Sequence, residues 1–541
     1  MVNPVNSRHE GRICALILLL ILFAVGLLSV LHAVAKPLWS DELATVIVSR
    51  LPSAADIWRA LHGTADSNPP IYYFVTRPAR YFIPDDHLGY RLPSILGLLC
   101  TVLCVYLILT RRVSRLSALV GASVILCTPM VEYAYEARPY TLVTGCISVA
   151  TLAWLRIDDS KLYSLFAGIS LAAAFSFHYY AILVFPIFLA AEASVCIFHH
   201  RLRIVAWVSL IASGLPLLFF SRLLMEQRQY IGKNFWARPS LGLILNAHSW
   251  LFNLDGPGHL GISLAVCVTL AFLYLNNSNK AILGFLGIPK SGRNSLPIED
   301  QVLYLLLLWL PVFAVVVAII GQGGMTPRYM MPTVIGGAVV IGSLIGKAPR
   351  LANVLLLIVL LMNYGLSSAK IVQYALNGAL LVQRAAATHE VQQIIAEQNG
   401  IDLPIVVANG SRYTAMAYYA PAGLNRKLYA IVDPRAAVEF SNNKSNTVDL
   451  NLLALLPYFP FQGENYDNFL SNHREFLLVT GTGAGDTGGG TEWLAARLVH
   501  DGNIVRLLSA KEESTVYRVT VCFPPAGNTA NPPLIQAAPA H

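Results

Sequence analysis

Charge is scarce in this chain. Only 13% of its 541 residues are Asp, Glu, Lys or Arg, while 55% are hydrophobic. A soluble domain carries roughly 25% charged residues, so a wholly soluble protein is excluded. Cysteine is sparse as well. Seven of the eight, from Cys14 to Cys267, precede the polar C-terminal part, and most of them fall within apolar runs, as small buried hydrophobes do. None has metal-ligand spacing. Only Cys522 lies beyond about Lys370, which excludes a disulfide within the C-terminal part. The first apolar run is too long for a signal-peptide core, so it reads as a signal anchor. The formal net charge of +8 would raise nucleic acid as a partner in a soluble protein. Here Lys and Arg sit in short loops between apolar runs, the positive-inside pattern of a membrane protein, and nucleic acid is not an expected partner.

What the chain does have is long apolar runs. Ile13–Ala35, Ile204–Ser221 and Val302–Ile320 can each cross a hydrocarbon layer of ~30 Å. Further spans are expected at Leu92–Thr110, Leu116–Val131, Tyr140–Leu155, Leu162–Phe177 and Ala181–Phe198. Three more follow at Leu260–Leu275, Tyr329–Ile345 and Leu351–Leu366. Arg8 and Arg12 place the N-terminus in the cytoplasm. With about eleven spans, basic residues fall repeatedly on the inner side: Arg111, Arg112, Arg115, Arg156, Lys161, Arg201, Arg203, Lys280, Lys290, Arg293, Lys347 and Arg350. Ile71–Ile83 is too short and too charged to span, and is expected to lie on the outer surface. Arg222 to about Gly258 reads as a long outer loop.

Three regions are expected: a membrane domain over 1–369, with the outer loop 36–91 carrying an acidic motif; an α/β domain over 370–523 on the outer side; and a Pro- and Ala-rich disordered tail over 524–541. In the α/β domain, strands are predicted at Pro404–Ala408, Leu428–Val432, Phe476–Thr480 and Thr515–Phe523. Helices are predicted at Thr388–Gln398, Tyr413–Tyr419 and Glu492–His500. The Gly-rich run from Gly481 to Gly490 has neither the order of a dinucleotide fingerprint nor a Walker Lys-Ser/Thr, and reads as a loop.

The span order gathers polar residues on the outer side. They are Trp39-Ser40-Asp41-Glu42, Asn68-Pro69-Pro70-Ile71-Tyr72-Tyr73, Glu132, Glu136 with Arg138, His178-Tyr179-Tyr180, and Pro327-Arg328-Tyr329. Ionisable groups this close to hydrocarbon are costly and mark candidate sites. Asp41-Glu42 has two readings. Ser40 or Asp41 caps a helix Leu43–Arg50 with an acidic first turn, or Asp41 is a general base screened from water. Arg138 and Arg328 either snorkel to headgroups or clamp a phosphate, which planar guanidinium suits. Tyr179 and Tyr180 fit an aromatic belt. His178 fits one less well; it is a candidate phosphate donor, or a ligand to a divalent cation with Asp41 or Glu42, although no metal spacing is readable.

In this order, W-x-D-E, x-P-P-[IL]-Y-Y, E-A-R-x-Y, F-H-Y-Y and P-R-Y-x-x-P resemble the motifs of GT-C fold glycosyltransferases. The nearest likeness is to the bacterial polyprenyl-phosphate-sugar group, with its protein O-mannosyltransferase-like and lipid A aminoarabinose transferase-like members. The resemblance covers about 1–370 and implies a multi-pass enzyme of the bacterial cytoplasmic membrane. Such an enzyme takes one sugar from a polyprenyl phosphate and passes it, with inversion, to a glycan, lipid or protein acceptor outside. It implies Asp41 as the catalytic acid position, Glu42 as its neighbour, and Arg138, Arg328 and His178 near the lipid phosphate. Trp39, Asn68, Tyr72, Glu136, Tyr179 and Tyr329 are the expected substrate contacts. At Asn68 the family often has His or Lys, so a charged role at that position is lost.

Three other readings compete. A transporter or flippase would show internal repeats and midplane charges, which this sequence does not. A ligase using a diphosphate-linked glycan differs only in its donor. A non-catalytic assembly protein would keep its function when Asp41 is changed.

Overall fold

The computed structural model describes residues 4–231, 234–254, 256–257, 259–275, 296–385, 402–441, 444–481, 493–510 and 514–522. The expected helix at 388–398, most of the Gly-rich run, the tail and Lys280, Lys290 and Arg293 lie outside them. The chain divides into two compact units that do not follow linear order. One comprises Met1–Val34, Pro78–Ser221 and Pro239–Leu380; the other comprises Ala35–Arg77, Arg222–Arg238 and Leu381–His541. The first outer loop thus groups with the C-terminal α/β fold.

The first unit is helical. Each apolar run expected to span is helical over most of its length. Among the described residues, four helices are long and apolar enough to cross a membrane by themselves: Glu10–Ala35, Asp86–Thr110, Tyr179–His199 and Arg350–Ser367. Ile204–Phe219 with Ser221–Gln229 and Ile298–Leu308 with Leu310–Gly321 are pairs bent by 51° and 58°. In the second pair Pro311 lies at the start of the segment Leu310–Gly321, where a missing N–H and a fixed φ interrupt the helical ladder. The remaining runs form shorter apolar helices, among them Arg115–Cys127, Tyr140–Trp154, Lys161–Phe177, His259–Leu275 and Thr333–Ile345.

Small residues set the helix spacing. A Cβ on Gly97 would meet the Thr141 carbonyl oxygen at 2.4 Å, and one on Gly145 would meet that of Gly97 at 2.9 Å. The helices Asp86–Thr110 and Tyr140–Trp154 therefore touch backbone to backbone, as small residues permit in apolar surroundings. The Ser94 hydroxyl donates to the Arg138 carbonyl at 2.7 Å, and the Thr141 hydroxyl donates to that of Ser94 at 2.8 Å. Arg138 is thereby fixed at the start of the second helix.

The loops expected on the inner side meet one another. Arg112 pairs with Asp300 at 2.9 Å, Arg201 with Asp158 at 2.9 Å, and His199 with Glu299 at 3.0 Å. Glu192, fully buried in the helix Phe185–His199, is gripped by Arg203 through two bonds of 3.0 and 2.6 Å. It also accepts from the Trp154 indole at 3.0 Å. Burying a carboxylate is tolerated when it is paired and hydrogen-bonded in this way.

The second unit is built on a six-stranded sheet in the order β3-β2-β1-β4-β6-β5. Its strands are β1 Ile405–Val407, β2 Leu428–Ile431, β3 Gly463–Glu464, β4 Glu475–Gly481, β5 Ile504–Ala510 and β6 Ser514–Thr520. The first four are mutually parallel; β6 runs antiparallel to β4, and β5 antiparallel to β6. Four predicted strands are present, whereas β3 and β5 were not read. β3 has two residues, too few for a period, and β5 is largely solvent-exposed with no apolar alternation. Val406, Phe469, Phe476, Leu478, Trp493 and Val519 form its core.

The expected surface helix at 71–83 is two short helices, Pro70–Thr76 and Ala79–Phe82. The region read as one long outer loop holds the helices Ser221–Ile231 and Leu241–Leu251. Ser240 caps the latter, its hydroxyl accepting from Leu243 N at 3.3 Å.

Candidate active site

Within the helical unit, three distant segments bring their polar residues together. Arg138 precedes the helix Tyr140–Trp154. His178 ends the helix Lys161–Phe177. Arg328 lies in the 3-10 turn Pro327–Met330. Tyr140 is the hub: the Arg328 guanidinium carbon lies 5.7 Å from its ring centroid, and the His178 ring lies at 5.4 Å. Tyr329 stands 5.1 Å from His178 and stacks on Tyr180 at 4.6 Å. The Tyr180 hydroxyl donates to the Gly324 carbonyl, tying the two loops.

His178 leaves the helix in an extended conformation and accepts the Tyr180 amide on Nδ1 at 3.3 Å. That bond occupies the Nδ1 lone pair and leaves the proton on Nε2. Burial, then the Arg138 and Arg328 charges, lowers its pKa to about 3. His178 is therefore a neutral donor beside two cations, an arrangement that attracts an anion without adding a third charge. Tyr179 is buried, and its hydroxyl meets no hydrogen-bond partner among the described residues. Glu136 is buried one turn from Glu132; both line a cavity of about 460 Å³ with Tyr133, Trp250 and Asn253.

The remaining candidates lie in the other unit. Asp41 and Glu42 open the helix Ser40–Ser49. Its N-cap position is Trp39, not Ser40 or Asp41, because the Glu42 carboxylate reaches back to accept the Trp39 amide at 3.3 Å. Glu42, the residue three positions in, thus reaches back over the first turn, and Asp41 lies half-buried in that turn. Asn68 is buried, and its amide donates to Asp66 Oδ2 at 3.4 Å. Tyr72 is fully buried, edge-on to Tyr73 at 5.7 Å.

Asp66 was missed in the sequence. It is buried and also accepts from Ser67 N at 2.7 Å and from the Thr45 hydroxyl at 3.5 Å, while its carbonyl accepts from Gln227 at 3.1 Å. Thr45 in turn reaches the Asp41 carbonyl at 3.4 Å. An acidic residue two before Asn68-Pro69-Pro70 was the available signal. Among the described residues, no group of three or more His, Cys, Asp or Glu is placed to hold a metal ion.

A profile of the family described as dolichyl-phosphate-mannose-protein mannosyltransferase matches residues 67–225. Comparison with curated protein sequences gives no match. Two solved structures are similar across nearly the whole chain. ArnT from Cupriavidus metallidurans in the apo state shares 10% identity at a TM-score of 0.53, over 92% of this chain and 97% of that one. ArnT from the same organism bound to undecaprenyl phosphate shares 12% identity at a TM-score of 0.51, over 96% and 99%. The resemblance to GT-C glycosyltransferases read in the sequence thus holds for the fold.

Proposed function

We propose that this chain is a membrane glycosyltransferase. It moves a sugar from a polyprenyl-phosphate donor to an acceptor on the outer face of the cytoplasmic membrane, with inversion at the anomeric carbon. The observation that carries this reading is the gathering of Arg138, neutral His178 and Arg328 around Tyr140. It is supported by the fold shared with ArnT, which has been crystallised with undecaprenyl phosphate.

The steps follow from the residue chemistry. Asp41 takes the proton of the acceptor nucleophile as it attacks the anomeric carbon. The bond from that carbon to the phosphate oxygen breaks, and the electron pair leaves with the polyprenyl phosphate. Arg138 and Arg328 meet the growing negative charge, and His178 donates its Nε2–H while staying neutral. Glu42 holds the first helical turn, which presents Asp41. Asn68 and Asp66 brace the same loop. Tyr72, Tyr179, Tyr329 and Trp39 supply aromatic surface for the substrates. The Asp41 loop and the α/β domain face outward in this reading, which rests on the span order and the basic residues of the loops expected inside.

The test is single-turnover transfer with a defined polyprenyl-phosphate sugar, alongside donor binding. Failure of the purified chain to bind polyprenyl phosphate would refute the proposal.

A further inference from the structure

The cavity beside the basic cluster has a chemistry of its own. Its wall carries Glu132, Tyr133, Glu136, Ser249, Trp250 and Asn253. Its volume of about 460 Å³ is within the range of small-molecule sites. Two features of the chain build it. Met130 and Ala134 are fully buried in the short helix Met130–Ala134, so that helix is anchored by its apolar side, and Glu132 and Glu136, four residues apart, both reach the cavity. Opposite, the helix Leu241–Leu251 ends in a turn whose Asn253 adopts φ +50°. Asn tolerates this left-handed conformation at a helix end. The helix end sets Trp250, and the turn after it sets Asn253, on the cavity wall.

The cavity shares a wall with the proposed phosphate site. The Tyr133 ring stands edge-on to Trp250 at 6.0 Å and edge-on to Tyr140 at 5.3 Å. Tyr140 is the ring that Arg328 and His178 approach. One aromatic thus separates a cationic compartment from an acidic, aromatic one. A sugar linked to a phosphate has this division of chemistry: an anion at one end and a ring of hydroxyl donors with an apolar face at the other. Carboxylates accept hydroxyl donors with charge-assisted bonds, and an indole face covers C–H groups that water leaves poorly solvated.

We infer that this cavity is the donor-sugar subsite, taking a sugar with adjacent hydroxyls and no negative charge. The inference rests on the glycosyltransferase reading above. Glu132 and Glu136 accept ring hydroxyls, Trp250 packs on the ring face, and Asn253 contributes an amide at the rim. The paired carboxylates reject an acidic sugar, since a like charge at a partly desolvated site selects by repulsion.

The experiment uses the full chain in nanodiscs and measures binding of three ligands: polyprenyl phosphate alone, polyprenyl-phosphate hexose, and its uronic-acid counterpart. Trp250→Ala is expected to weaken the hexose lipid about ten-fold and leave polyprenyl phosphate unchanged. Trp250→Phe should restore much of that loss, and Glu132→Gln should admit the uronic-acid lipid that the unaltered chain refuses. Equal loss for both lipids in Trp250→Ala and Trp250→Phe would overturn the subsite. Unchanged binding of the hexose lipid in Trp250→Ala would overturn the donor placement. If the unaltered chain binds the hexose lipid and Glu132→Gln leaves the uronic-acid preference unmoved, the charge-selection argument fails while the glycosyltransferase reading stands.

Discussion

The Arg328 guanidinium lies 5.7 Å from the centroid of the Tyr140 ring, although the two residues belong to a late turn and an early helix. A cation over an aromatic face is held there electrostatically. Arg328→Ala should lower both donor affinity and turnover, because the guanidinium serves the bound phosphate and the charge that develops as it leaves. Arg328→Lys should recover only part of the loss, since an ammonium lacks the planar fork. Donor titration and single-turnover rates on the two variants separate these effects; full recovery by Lys would reduce the site to a point charge.

Asp41→Asn should cut transfer by ~10²–10⁴-fold, the usual worth of a positioned base, and leave donor binding close to normal. Asn keeps the size and an acceptor oxygen but cannot take the proton. Near-normal turnover in this variant would remove Asp41 from the chemistry. Lost donor binding would make it structural instead.

Glu42→Ala should act indirectly. The Glu42 carboxylate accepts the Trp39 amide at 3.3 Å, and losing such a cap costs roughly 0.5–2 kcal/mol. Glu42→Gln retains an acceptor and should retain most of the activity. A thermal melt alongside the assay reads the two contributions; equal inactivation by Gln and Ala would point to a charge requirement rather than a cap.

Tyr419→Phe tests how the first loop is held. The Tyr419 hydroxyl accepts the Leu38 amide at 2.7 Å, just before Trp39-Ser40-Asp41, and Arg50 lies over the neighbouring Tyr418 ring at 5.8 Å. Removing the hydroxyl should destabilise the chain by about 1 kcal/mol. It should also increase protease cutting within 36–50. An unchanged digestion pattern would show that this bond does not hold the loop.

Asp449 gives the α/β domain a pH dependence. Burial pushes its pKa up to about 7, although its carboxylate accepts the Asp433 amide at 3.2 Å. In the unfolded chain it titrates near the ordinary ~3.9. The folded state therefore holds the proton more tightly, and this contribution to stability is full below about pH 4 and declines as pH rises towards 7. Asp449→Asn keeps the acceptor oxygen and removes the titration. It should raise the melting temperature at pH 8 more than at pH 5; an equal change at both would exclude a buried proton here.

The sequence by itself determined the membrane character and the alternation of polar ends. Run length and the scarcity of charge follow directly from hydrocarbon thickness. It also determined which end of each span carries basic residues, and Arg112, Arg201 and His199 do meet acidic partners at one pole. Strands of three or more residues with apolar faces, such as β1 and β4, were legible by pattern, whereas the two-residue β3 and exposed β5 had none to read. Only the tertiary structure decided that Tyr140 is the meeting point of Arg328 and His178, and that Trp250 closes a cavity with Glu132 and Glu136. It alone decided that Asp66 braces Asn68 and that Glu42 does the capping. The physical reason is range. Periodicity and charge report what one segment needs from its solvent, but a site made of side chains from separate helices depends on how closely small residues such as Gly97 and Gly145 let backbones approach, and no single segment records that distance.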